Sequence, residues 1–221
     1  MDDTSTTRST DAARLPSYKL LACAAVAGAM LVAGALRDDH PPQPSPTQPW
    51  ASSAQSAPDR APQSTGIEPL PPADPVRLMI PAAGVNAPLT RVELNDAGAL
   101  RPPPGDEPGL AGWYGDGTAP GQTGTAITVG HVDTPAGPGV FYRLGALTKG
   151  DTIDVVREDR RTAVFTVDAV ELHAKSDFPD EKVYGEADRP ELRVITCGGD
   201  YSPSTGYQSN IVVYATLSAV K

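Results

Sequence analysis

The sequence is short of cysteine and histidine. Two cysteines occur in 221 residues, Cys23 and Cys197, and three histidines, His40, His131 and His173. A zinc site asks for three or four such ligands closely spaced, and none of these residues is grouped that way, so a metal centre is not expected. Clustered basic residues are missing as well. The formal charge is −9 and the isoelectric point about 4.7, and phosphate contact needs concentrated Lys and Arg, which sets nucleic acid aside as a partner. Apolar residues make up 39% of the chain, so a packed core is expected in only part of it. Internal repeats are absent too.

What is present falls into four blocks. Residues 1–19 are polar and carry Arg8, Arg14 and Lys19. An uncharged apolar run follows, LLACAAVAGAMLVAGAL, from Leu20 to Leu36. It lies at the short end of the ~17–25 residues that span a bilayer. Positive charge on its N-terminal side predicts a single-pass anchor with that side in the cytoplasm and the rest of the chain outside. A cleaved signal peptide is a rival reading, with Ala33-Gly34-Ala35 as small residues for processing. A lipidation box around Cys23 is another, weakened because no apolar run precedes that cysteine. Residues 37–75 hold eleven of the chain's 24 prolines among Ser, Gln, Ala and Thr. Such a composition predicts an extended, largely disordered extracellular tether.

From Val76 the character changes. VRLMI, TAITVGHV, TIDVV, TAVFTVDAVEL, LRVITC and NIVVYATL are short β-rich runs punctuated by Pro, Gly, Asn and Asp. They predict an all-β barrel or sandwich over 76–221. Val140–Leu147 is the one weak helix candidate, and EKVYGEAD, Glu181–Asp188, reads as a solvated acidic loop.

With Cys23 in the apolar run, Cys197 has no disulfide partner and is a free thiol in a compartment that oxidises thiols. A buried, inert cysteine is the ordinary alternative. Cys197 instead follows a polar Thr196 and runs into Gly198-Gly199, where a strand is expected to end and side chains become reachable. A nucleophilic thiol needs an acid/base partner. His40 lies in the tether and His173 reads as a solvated strand-end residue. His131, in TVGHVDT after the conformationally free Gly130, is the candidate.

The paired motifs TVGHVDT at 128–134 and VITCGG at 194–199, with GPGVFYRLGALTKGDTIDV between them and NIVVYATL after, resemble those of the sortases, cysteine transpeptidases of Gram-positive surfaces. The likeness covers most of Val76 to Leu217 and is greatest to the class F sortases of actinobacteria. It implies a closed, mostly antiparallel β-barrel of about eight strands with short helical turns. It implies cleavage of an LPXTG-type sorting signal through a Cys197 thioester, with His131 as acid and base. A peptidoglycan precursor or wall-peptide amine would accept the acyl group, and no cofactor would be needed. Thr196 and Gly198 would border the substrate.

One family feature is missing. Sortases place an arginine on the strand after the cysteine, and GGDYSPSTGYQSNIVVYATL contains none. Asn210 falls at that place by spacing and has an amide to donate, without the charge. Arg193, four residues before Cys197 on the same face of its strand, is the second candidate, and Arg143 a third. Two further functions fit the pattern: a hydrolase on the same fold that loses its thioester to water, and a non-catalytic wall-binding domain. A papain-like protease does not fit, because its cysteine precedes its histidine.

Overall fold

A computed structural model describes residues 40–45, 67–96 and 98–221. The expected anchor at Leu20–Leu36, Cys23 and most of the tether lie outside the described residues. Ten strands follow in chain order: β1 (Pro75–Ile80), β2 (Val85–Val92), β3 (Ala111–Tyr114), β4 (Gly124–Val129), β5 (Asp133–Thr134), β6 (Gly137–Pro138), β7 (Thr152–Arg157), β8 (Thr162–Ala174), β9 (Pro190–Ser202) and β10 (Gly206–Val220). Eight of them close into a barrel in the order β1-β2-β3-β4-β9-β10-β8-β7, and β5 with β6 forms a separate ribbon. Six barrel pairings are antiparallel; β2–β3 and β4–β9 are parallel.

Side-chain alternation along each strand fills the barrel. Leu192 and Val194 of β9, and Ile211, Val213 and Ala215 of β10, point inward and are buried. The outer face of β4, β9 and β10 is also covered. Ile127, Ile195, Val212 and Tyr214 form a second apolar cluster there, capped by Val183. Val183 comes from a five-residue α-helix, Asp180–Tyr184. That helix occupies the stretch read as a solvated loop, because a fully buried valine contributes about 1.5–3 kcal/mol and holds one turn on the sheet. The expected helix at Val140–Leu147 is only a 3₁₀ turn, Leu144–Ala146.

The packed domain begins before Val76. Leu70 sits in the barrel core, and its N–H donates to Gly121 O at 2.8 Å. Ile67 packs against the same cluster, so two apolar residues in a polar tether suffice to dock it. A piece of the tether further back docks too. Pro41 is buried, and Gly199 N donates to Gln43 Oε1 at 2.9 Å. A side chain at Gly145 would lie 2.1 Å from Pro42 O, so only glycine admits this approach. Residues 41–45 therefore run along the domain near the end of β9, where an unattached tether was expected.

Candidate active site

Cys197 does not end its strand. β9 continues to Ser202, but its partner β4 stops at the Val129–Ile195 pair. Past that level β10 is the one strand paired with it among the described residues, with Asn210 opposite Cys197. No strand pairs with the other side at Cys197, and the thiol borders a groove. Cys197 is free and half-buried, and its sulfur accepts a hydrogen bond from Lys175 Nζ at 3.8 Å.

His131 is brought to the same level by the parallel pairing. Val129 is paired with Ile195, and continuing that register two residues further brings His131 to the level of Cys197. The ladder is extended past the strand's end by two bonds: Gly130 N donates to Ile195 O at 3.2 Å, and Thr196 Oγ1 donates to Gly130 O at 2.8 Å. A side chain at Gly130 would meet Val140 Cγ1 at 2.6 Å and Phe141 Cδ2 at 2.7 Å. The glycine of the GH pair and the threonine of the TC pair are thus the two halves of one latch. The His131 ring donates from Nε2 to Pro103 O at 2.8 Å. A carbonyl only accepts, so Nε2 carries the proton and Nδ1 is left for exchange. Tyr207 Oη donates to Asp133 Oδ2, which ties the segment after His131 to the β9–β10 hairpin. Burial first, and then Asp133, pushes the Tyr207 hydroxyl above the usual phenol range, so it stays a donor.

The latch has a measurable cost of removal. Thr196→Val keeps the shape but leaves the buried Gly130 carbonyl unmatched, with an expected loss of about 1–3 kcal/mol. A urea unfolding midpoint that does not move would show that the bond contributes nothing.

The other expected site residues fall in different places. Asn210 lines a groove together with Cys197. Arg193 shares the outer face with Cys197, as alternation required, but it is buried and does not border the groove. Its Nη2 donates to Glu191 Oε2 at 2.7 Å, and its guanidinium lies over the Tyr214 ring, 4.8 Å from the centroid. Glu191 is itself half-buried; burial would raise its pKa, yet Arg189 and Arg193 together hold it below its ordinary value. Arg193 is therefore committed to structure. Arg143 is exposed and lines a separate hollow with Asn86 and Pro138. The Thr196 hydroxyl is turned inward to Gly130, and Gly198 is buried against Ile211, so each can meet a ligand only through its backbone. His173 is not solvated. It lies 3.1 Å from Glu171 Oε2 and 2.9 Å from Tyr214 Oη. Burial holds its pKa below the usual value against the opposing pull of Glu171.

The groove encloses about 660 Å³. Ile127, Val129 and Ile195 contribute from β4 and β9, Leu94 and Leu100 from the β2–β3 connection, and Tyr184 from the short helix. Its lining is largely apolar, and Cys197 opens onto it. A chain lying there in extended form would bury aliphatic side chains and present a carbonyl to the thiol.

The family model for the sortase domain matches residues 78–218, well over half of the chain. The chain belongs to the sortase family. Membership places it among the cysteine transpeptidases, and the barrel, the thiol and the imidazole described above agree with that. No curated protein sequence matches it significantly. Among solved structures, the sortase SrtA from Actinomyces oris is similar at 21% identity with a TM-score of 0.51, covering 68% of this chain and 87% of that one. The pilus-related sortase C of Group B Streptococcus matches at 15% identity and a TM-score of 0.50, covering 66% and 67%. Sortase A of Listeria monocytogenes matches at 18% and 0.49, covering 66% and 89%. At these identities the structural likeness speaks for the fold alone.

Proposed function

We propose that this sortase cleaves an LPXTG-type sorting signal and transfers the released surface protein to a cell-wall amine. The Cys197 thiol lining an apolar groove, with His131 two residues beyond the last β4–β9 pair, supports the reading. The Leu and Pro of the signal bury in the groove. Cys197 passes its thiol proton to His131 Nδ1, Sγ attacks the Thr carbonyl, and the C–N bond to Gly breaks. His131 gives a proton to the departing amine, and a thioester remains on Cys197. The acceptor amine, from a peptidoglycan precursor or a wall peptide, then loses a proton to His131 as it attacks the thioester; the C–S bond breaks, and Cys197 recovers the proton from His131. Asn210, opposite Cys197 on β10, offers an amide to the oxyanion. No step uses a cofactor or a metal.

The run Leu20–Leu36 is proposed as a single-pass anchor that leaves the catalytic domain outside the cell, near its acceptor. The motif pattern supports the class F sortases of actinobacteria as the nearest class. The test uses the full chain in detergent micelles, mixed with an LPETG peptide under reducing conditions, with and without a small amine, and reads intact mass. An acyl adduct that the amine discharges is expected. Cleavage without transfer to any amine would replace transpeptidation by hydrolysis, and neither adduct nor cleavage would sink the reading.

A further inference from the structure

The strand after the cysteine brings no cation to the site, yet an oxyanion and a thiolate both form there. We infer that Lys175 supplies the positive charge of the Cys197 site, in place of an arginine on β10. The inference rests on the thioester chemistry proposed above. Three residues stand in a row across three strands, His173 on β8, Asn210 on β10 and Cys197 on β9. β8 ends one residue after His173, and the chain turns through a 3₁₀ turn, Lys175–Asp177. That turn packs against β10 and carries Lys175 to the sulfur, with Nζ at 3.8 Å from Sγ.

The alternatives are occupied. Arg193 is buried and bound to Glu191, and Arg143 lines the other hollow. His173 is held by Glu171 and Tyr214. Among the described residues Lys175 has no carboxylate partner, and the thiol is its one polar contact. Its side chain is exposed, so the ammonium needs no desolvation until a substrate covers it. A lysine is a compact point charge on a flexible stem and does not need the fixed fork of an arginine. The oxyanion carbon bonds directly to Sγ, so an ammonium that already touches the sulfur is within a small rotation of the oxyanion. Asn210 and Lys175 then divide the work of one arginine: the amide gives direction and the ammonium gives charge.

The test uses the full chain as wild type, Lys175→Met and Lys175→Arg, each checked for an unchanged melting temperature. Two rates are read. The first is acylation by the LPETG peptide. It should fall about 10²-fold in Lys175→Met, the scale of one lost oxyanion donor, and stay within about fivefold of wild type in Lys175→Arg. The second is alkylation of Cys197 by anionic iodoacetate relative to neutral iodoacetamide. A local cation attracts the anionic reagent, so this ratio should drop by about three- to tenfold in Lys175→Met and persist in Lys175→Arg. A ratio unchanged in Lys175→Met would overturn the inference, as would acylation at the wild-type rate. If wild type forms no acyl adduct, the proposed function fails, and the alkylation ratio still decides whether the ammonium faces the thiol.

Discussion

Cys197→Ala is expected to abolish acylation and to slow cleavage of an LPXTG-type peptide by about 10⁴-fold or more, because removal of a covalent nucleophile leaves only binding and oxyanion contacts. The fold should not change. Among the described residues Cys197 makes no disulfide, is half-buried, and its side chain's one hydrogen bond is with an exposed lysine. Substitutions at such positions stay within about 0.5 kcal/mol. A matched pair of melting curves together with intact-mass spectra separates the two effects. Cleavage that survives in the alanine variant would mean that Cys197 is not the nucleophile. A binding domain without catalysis would behave in another way again: its affinity for wall material would ignore the substitution.

His131→Gln should cost about 10²–10⁴ in the acylation rate, the range for a positioned acid/base. Glutamine is the informative choice. Its side-chain amide can still donate to Pro103 O, the partner of His131 Nε2, so the segment between β4 and β5 stays in place. What disappears is Nδ1, the nitrogen left to move a proton. Stability close to wild type with acylation lost would locate the function in that nitrogen. Acylation near the wild-type rate would mean that His131 only positions the loop. Combining His131→Gln with Cys197→Ala should be no worse than Cys197→Ala alone, since the two groups act as one unit.

The six β-rich runs read from the sequence correspond to β1, β4, β7, β8, β9 and β10, because alternation against a core is written locally in each of them. β2 and β3 left a fainter trace. β2 contains Pro88, which pairs with Arg77 on one side, while pairing to β3 begins only at Leu89. Its missing N–H therefore costs little in the structure, though it weakens the strand signal. β3 has four residues, one of them glycine. Cys197 and His131 stand out in the sequence because each has a motif around it. Arg193 shares a face with Cys197, yet Glu191 stands two residues before it on that same face of the strand. That spacing signals an ion pair, and the pair forms. His173 and Glu171 repeat the lesson on β8. Lys175 had no local signal. It is 22 positions from Cys197, and only the turn at the end of β8 makes them neighbours.

The parallel register of β4 and β9 also dictates when the site comes into being. The latch from Thr196 to Gly130 spans 66 positions, whereas β9 and β10 meet through a hairpin that closes between Ser202 and Gly206. Loop closure makes the distant pairing the slower event, in a topology whose folding falls in the millisecond-to-second range. The hairpin that carries the thiol can therefore form before the histidine strand docks beside it. Until that docking the cysteine has no acid/base and no groove, so a chain still in the course of folding is a poor catalyst. Activity in this enzyme is the last thing folding delivers.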